Sequence, residues 1–205
     1  MLLEFRFNRL RPRSIPEYQT RFEQALAERA LLSPLLGFWT TEVGNLDEVV
    51  ELWAYDDAAH RDHVRAQAAR LQAWSALEAC DLHQAQVSQW VASAPFSPPA
   101  APGAYGALYE LRIYDYETDA IARVLPAWEK KLPGRIELSP LMACGHSVSG
   151  APGQWLHLWA YENAAERQRI RSEAVRRNCW PPESPGGLIG QRNMLLVPSA
   201  FSPWR

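Results

Sequence analysis

The sequence predicts an α+β protein built from two copies of one βαββαβ unit, with their four-stranded antiparallel sheets packed face to face. Three observations predict it. The chain repeats itself at an offset of 106 residues, both copies read as the same order of strands and helices, and one copy alone leaves a sheet face uncovered.

The repeat is visible residue by residue. Leu2, Glu4 and Arg6 fall on Leu108, Glu110 and Arg112, and Leu32-Ser33-Pro34-Leu35 falls on Leu138-Ser139-Pro140-Leu141. Leu52-Trp53-Ala54-Tyr55 falls on Leu158-Trp159-Ala160-Tyr161, and Trp74 falls on Trp180. Both copies close on Phe-Ser-Pro, at Phe96 and Phe201, with one residue deleted in the second. The predicted organisation is a first repeat over 1–96, a Pro/Ala linker over 97–106 and a second repeat over 107–205.

In the first copy, Leu2-Leu3-Glu4-Phe5-Arg6-Phe7 alternates with period 2 and reads as a strand. Ser14-Ile15-Pro16-Glu17 opens a helix, with Ser14 and Glu17 as a capping box and Pro16 in the first turn. Ile15, Tyr18, Phe22, Ala25, Leu26 and Arg29 follow helical spacing. Leu35 to Glu42 and Glu48 to Tyr55 read as a hairpin around Gly44-Asn45. Asp57 caps a second helix, a further helical piece follows Trp74, and Gln84 to Val91 forms the last strand. This order is the ferredoxin-like split βαβ arrangement. Its sheet has helices on one face only, so two fused copies are expected to close on each other as a pseudo-two-fold barrel, where a single copy would have to dimerise.

Composition excludes several classes. With 21 Lys and Arg against 23 Asp and Glu, the formal charge of −2 offers no nucleic-acid surface. Prolines and glycines interrupt the apolar stretches, so no membrane span is expected. Cys80, Cys144 and Cys179 are odd in number and widely spaced, which suits reduced thiols rather than a disulfide framework. The segment from Met1 to Arg6 lacks the pattern of a secretory signal, so cytoplasm is the default expectation. No Gly-rich phosphate loop or HExxH motif is present, and no cofactor or metal is expected. His60 and His63 stand near Asp56 and Asp57, but Glu166 and Arg169 break that pattern in the second copy.

Several segments resemble the NIPSNAP family of the dimeric α/β-barrel superfamily. They are Glu4-Phe5-Arg6, Leu36-Gly37-Phe38-Trp39-Thr40-Thr41-Glu42-Val43-Gly44 and Leu52-Trp53-Ala54-Tyr55-Asp56-Asp57, with Tyr109 to Tyr114 and His157 to Glu162 in the second copy. The resemblance implies the fused barrel. It carries over no shared catalytic mechanism, and the wider superfamily spans cofactor-free monooxygenases, isomerases, haem enzymes and members without known chemistry.

Candidate site residues come from strand parity. Glu51, Trp53 and Tyr55 share one face of the third strand, and Val50, Leu52 and Ala54 share the other. The small apolar set is expected under the helices. Trp53 and Tyr55 are then expected in the barrel interior with Glu4 and Arg6, as are Trp159 and Tyr161 with Glu110 and Arg112. Glu51 and His157 occupy equivalent positions, and a carboxylate orienting an imidazole is a general-base arrangement, so this pair is the catalytic candidate. Arg6 and Arg112, with Trp39, Trp53, Tyr55, Trp159 and Tyr161, are the ligand-binding candidates, as paired seam charges or an Arg-lined carboxylate site with aromatic walls. Trp74 and Trp180 are further candidates to wall a cleft between helices and sheet, and unpaired Trp39 and Trp155 mark where the copies diverge. Cys144 and His146 share a strand face, the weaker sign of a nucleophile pair.

Two functions follow as expectations. One is a protein that binds a small apolar or aromatic molecule or a protein partner, as a pseudo-dimer within one chain and with a further homodimer left open. The other is a cofactor-independent oxygenase or isomerase on a small cyclic or aromatic substrate. In that second reading Arg6 or Arg112 polarises a carbonyl, and His157 or Glu51 moves a proton.

Overall fold

The computed structural model describes residues 1–99, 101–183 and 186–205, with Thr118 described by its backbone alone. The first copy contains β1 (Leu2–Leu10), α1 (Ile15–Arg29), β2 (Leu35–Val43), β3 (Glu48–Tyr55), α2 (Ala58–Ala68), α3 (Gln72–Glu78) and β4 (His83–Ser93). The second contains β5 (Leu108–Tyr116), α4 (Ile121–Ile136), β6 (Leu141–Ser147), β7 (Gln154–Tyr161), α5 (Ala164–Arg176) and β8 (Leu188–Pro198). The strands close into an eight-stranded barrel in the order β1-β3-β2-β8-β5-β7-β6-β4, and every pair is antiparallel.

The internal two-fold is kept in the register. Arg6 lies opposite Glu51 as Arg112 lies opposite His157. The copies meet at two seams, β2–β8 and β4–β6, where Thr40 faces Val197 and Ala92 faces His146. Each Phe-Ser-Pro tail crosses a seam. Phe201 packs on Phe22 and Phe38 of the first copy at 5.7 and 5.0 Å, and Phe96 reaches Trp155 of the second at 6.3 Å. Ser202 Oγ accepts from the Phe38 amide at 2.9 Å, and Ser97 Oγ accepts from the equivalent Cys144 amide at 3.1 Å. Both edges that one copy would leave unpaired are therefore paired by the other.

Local signals act at two of the five α-helix starts. Asp57 and Asn163 cap α2 and α5, accepting from the amides of His60 at 2.8 Å and Glu166 at 2.9 Å. Ser14 does not cap α1; its hydroxyl bonds back to the Arg11 carbonyl at 2.7 Å, so the expected capping box is absent. The helical piece placed after Trp74 contains it, as α3. The second copy has no counterpart helix among its described residues, where Pro181 and Pro182 follow Trp180 and deprive the backbone of donors.

The parity assignment is inverted. Val50, Leu52 and Ala54 point into the barrel with Leu3, Phe5, Leu111, Ile113, Leu156, Leu158 and Ala160. Trp53 and Tyr55 point outward beneath the helices with Tyr18, Phe22 and Trp74, as do Trp159 and Tyr161 with Trp128 and Ile170. The physical reason lies in the barrel. Its interior is filled by packed side chains and shut off from water, which leaves no solvation for Glu4, Arg6, Glu110 or Arg112. The helix-covered side has clefts open to water and supplies charged partners, so the charged and amphipathic residues go there.

Candidate functional site: two matched clefts

Between sheet and helices each copy has a cleft. The first, of about 150 Å³, is bounded by Arg6, Arg29, Tyr55, Arg65, Trp74 and Glu78. The second, of about 200 Å³, is bounded by Arg112, Arg135, Tyr161, Arg171, Trp180 and Pro181. Arg6, Arg29, Tyr55, Arg65 and Trp74 of the first fall 106 residues before Arg112, Arg135, Tyr161, Arg171 and Trp180 of the second. The same frame is built twice.

Its most regular part is the arginine at the end of the first helix of each copy. The Arg29 guanidinium lies 4.0 Å over the Trp53 ring, donates to Tyr55 Oη at 3.0 Å and to Ser33 Oγ at 2.9 Å. Arg135 lies 4.0 Å over Trp159, donates to Tyr161 Oη at 3.1 Å and to Ser139 Oγ at 2.8 Å. Burial lowers the pKa of both arginines from its ordinary value, and the tyrosines oppose that shift. A desolvated guanidinium keeps its charge here because an aromatic face and two hydroxyls replace water.

A buried glutamate anchors the opposite wall. Glu4 accepts from Arg61 at 2.5 Å and from the Ser88 hydroxyl, and Arg65 stands 3.8 Å away. Glu110 is held likewise by Arg167 at 2.5 and 3.0 Å and by Asn193 at 2.8 Å. Burial raises both carboxyl pKa values, but the arginine bonds and charges outweigh it and leave each below the ordinary range. These charges are paired on the helix side of the sheet, with Arg61 and Arg167 as hydrogen-bond donors where Arg6 and Arg112 were the expected partners.

Glu51 and His157 do not meet. Each sits at the base of its own copy, in separate side-chain clusters. Glu51 accepts from Asn8 Nδ2 at 2.7 Å, from Trp53 Nε1 at 2.8 Å and from Tyr18 Oη at 3.4 Å, with Arg6 at 3.5 Å. Burial lifts its pKa, against Arg6 and the Trp53 bond. His157 Nδ1 accepts from Trp159 Nε1 at 2.7 Å, so the ring proton sits on Nε2, which has no hydrogen-bond partner. Burial holds the His157 pKa well below its ordinary value, and Arg112 and Arg135 push the same way, so the ring is neutral. Rings of Tyr114 and Trp128 enclose it at 4.9 and 4.6 Å. The expected general-base pair is thus two separate buried groups, and neither borders a cleft.

Of the ligand-binding candidates, Arg6 and Tyr55 border the first cleft and Arg112, Trp159 and Tyr161 the second, while Trp53 lies beneath Arg29. Trp39 is elsewhere. It is fully buried inside the barrel against Tyr109 and Trp204, its ring over Gly37, and cannot reach a ligand in either cleft. Trp155 is likewise a core residue, packed on Trp128 at 5.0 Å. Cys144 is buried, which pushes its thiol up to about 12 and leaves no thiolate for nucleophilic attack. Among the described residues no cluster of His, Cys, Asp or Glu could hold a metal ion, and no helix is long and apolar enough to cross a membrane. Arg29 and Arg135 were not singled out from sequence. Their signal is an arginine on the buried stripe of a helix, repeated at the 106-residue offset.

The fold and its two clefts define a fused dimeric α/β barrel, a pseudo-dimer held in one chain. The NIPSNAP family model matches residues 3–98 and 109–203, one match per copy, and the chain belongs to that family. It is 29% identical over 212 residues to Protein NipSnap homolog 3A of Homo sapiens, covering 98% of this chain and 84% of that one. Protein NipSnap of Drosophila melanogaster is 23% identical, with 95% and 75% covered. A solved structure from Lactobacillus acidophilus superposes over 96% of this chain and 93% of its own, at a TM-score of 0.65 and 10% identity. That likeness shows the fold alone.

Proposed function

We propose that the protein binds a small, single-ring aromatic ligand in its sheet–helix clefts. The observation that carries this reading is the doubled frame of arginine, tryptophan and tyrosine, built at equivalent positions around two open cavities. The size of the cavities supports a small ligand. At about 30 Å³ per liquid water, a cleft of about 200 Å³ has the room of about seven waters, less than a drug-sized pocket. Aromatic walls favour a planar ring, and the guanidinium groups favour electron-rich or anionic substituents. Binding is favoured over turnover because Glu51 and His157 lie behind the cleft walls with their contacts inside the protein, and the carboxylates that reach the first cleft, Glu4 and Glu78, are held by arginines.

The test is a titration of the full chain with benzamide, a neutral ring, followed at the indole N–H resonances by NMR. Shifts at Trp74 and Trp180 with saturation support the reading. Absence of any shift at both indoles across neutral and charged single-ring probes overturns it.

A further inference from the structure

The two clefts share a frame and differ in charge. In the first, Arg6 is neutralised within the protein. It donates to Glu78 Oε1 at 2.6 Å and faces Glu51 Oε2 at 3.5 Å, and it is only 4% exposed. Four arginines of this cleft region (Arg6, Arg29, Arg61, Arg65) stand with four carboxylates (Glu4, Glu51, Glu78 and the exposed Asp62).

In the second, the position of Glu51 is taken by neutral His157, and among the described residues the carboxylate within ion-pair distance of Arg112 is Glu110. Arg112 has no hydrogen bond among the described residues. Its Nε stands 3.8 Å from Glu110 and is unpartnered, and the side chain is 18% exposed along the cleft wall. Glu110 is already engaged by Arg167 and Asn193. Arg112, Arg135, Arg167 and Arg171 therefore stand with Glu110 alone among the described residues facing them.

The change is concerted. Asn8, Tyr18 and Glu51, which form one polar network in the first copy, become Tyr114, Val124 and His157 in the second. Together the replacements remove the carboxylate beneath the arginine and the two groups that donate to it, and Tyr114 puts an aromatic ring 5.2 Å from the Arg112 guanidinium. A guanidinium left with free N–H donors at a cavity wall is arranged to hold an oxyanion, which it can grip through two parallel hydrogen bonds.

We propose that the second cleft is an oxyanion site that takes the negatively charged group of a small aromatic ligand, with Arg112 as principal contact and Arg171 at the mouth. The first cleft, neutralised by Glu51 and Glu78, takes an uncharged ring. The proposal rests on the ligand-binding reading above and names the ligand class of one of its two sites.

The experiment compares benzoate, benzamide and inorganic phosphate on the full chain, read at the indole resonance of Trp180, the indole resonance of Trp74 and the Arg112 Nε–H resonance. Benzoate is expected to bind at Trp180 about tenfold tighter than benzamide, and at Trp74 no tighter. Arg112→Gln removes the preference for benzoate. His157→Glu, which restores the first copy's carboxylate, weakens benzoate about tenfold and leaves benzamide unchanged. Displacement of benzoate by phosphate assigns a general oxyanion site; a benzoate preference that phosphate does not disturb assigns a carboxylate site. Equal affinity of benzoate and benzamide at Trp180, or the same benzoate preference at Trp74, overturns the proposal while ring binding stands. Phosphate carries no ring, so a phosphate shift at Arg112 without any benzamide response would retain the oxyanion site and discard the aromatic-ligand reading.

Discussion

At the scale of single residues, the structure turns on buried charges that find partners other than water. Arg29 and Arg135 each combine a stacked indole with two hydroxyl acceptors. Arg29→Met keeps the bulk and removes these interactions, leaving the Tyr55 and Ser33 hydroxyls short of a donor. It is expected to cost about 2–4 kcal/mol, read as a lowered urea midpoint at unchanged m-value. A midpoint equal to the parent's would deny the guanidinium its structural role. His157 gives a pH prediction. Its folded pKa lies well below the ordinary 6.5, so the unfolded chain binds a proton that the folded protein refuses. Its contribution is complete above pH about 6.5 and is lost as pH falls toward the folded pKa, at up to about 1.4 kcal/mol per pH unit. His157→Gln should flatten the fall in stability between pH 6.5 and 5 by one proton's worth; an unchanged slope would contradict the buried neutral imidazole. The arginine pair and the neutral histidine were hard to read in the sequence for one reason: a lone Arg on a helix and a lone His on a strand acquire their meaning from rings contributed by other elements.

Among the elements, the strands were legible and their orientation was not. Period-2 alternation marks β1 and β3, and the repeat marks their counterparts, because a strand exposes its chemistry in the sequence whichever way it faces. All eight residues of β3 are buried, so burial on one side and exposure on the other could not decide the direction. Only the closed interior of the barrel decides it, by excluding charge. Trp39 illustrates the same point. Its 106-residue counterpart is Gly145, and a Cβ added at Gly145 would lie 2.1 Å from the Ala92 carbonyl across the β4–β6 seam. One side of the pseudo-two-fold thus carries an indole inside the barrel, and the other brings two backbones close. Gly145→Ala must open this seam, whose short ladder pairs Val91–Ser147, Ala92–His146 and Ser93–Gly145 and is extended by the Ala94–Cys144 and Val148–Trp90 backbone bonds. It is expected to destabilise the protein by about 2 kcal/mol or more, measured by thermal or urea unfolding. A neutral effect would show that the seam is looser than this packing implies.

The whole molecule is one barrel made from two copies, and neither copy is complete without the other. The apolar interior joins β1 to β4 with β5 to β8, and each Phe-Ser-Pro tail is anchored on the opposite copy. Unfolding is therefore expected as a single cooperative transition, with indole fluorescence and far-UV circular dichroism coincident. Two separated transitions would mean that the copies are independent domains. Duplication in one chain also frees the copies to diverge, and several differences lie behind the cleft walls: Glu51 against His157, Asn8 against Tyr114, Phe22 against Trp128. Ligands are expected to enter these sheet–helix clefts and leave the sealed barrel alone. Chemical-shift mapping of the nine indole N–H groups with benzoate tests this most directly. Saturable shifts are expected, centred on Trp180 and Trp159, with Trp39 and Trp204 unmoved. Shifts centred on Trp39 and Trp204 would place the site inside the barrel and contradict it.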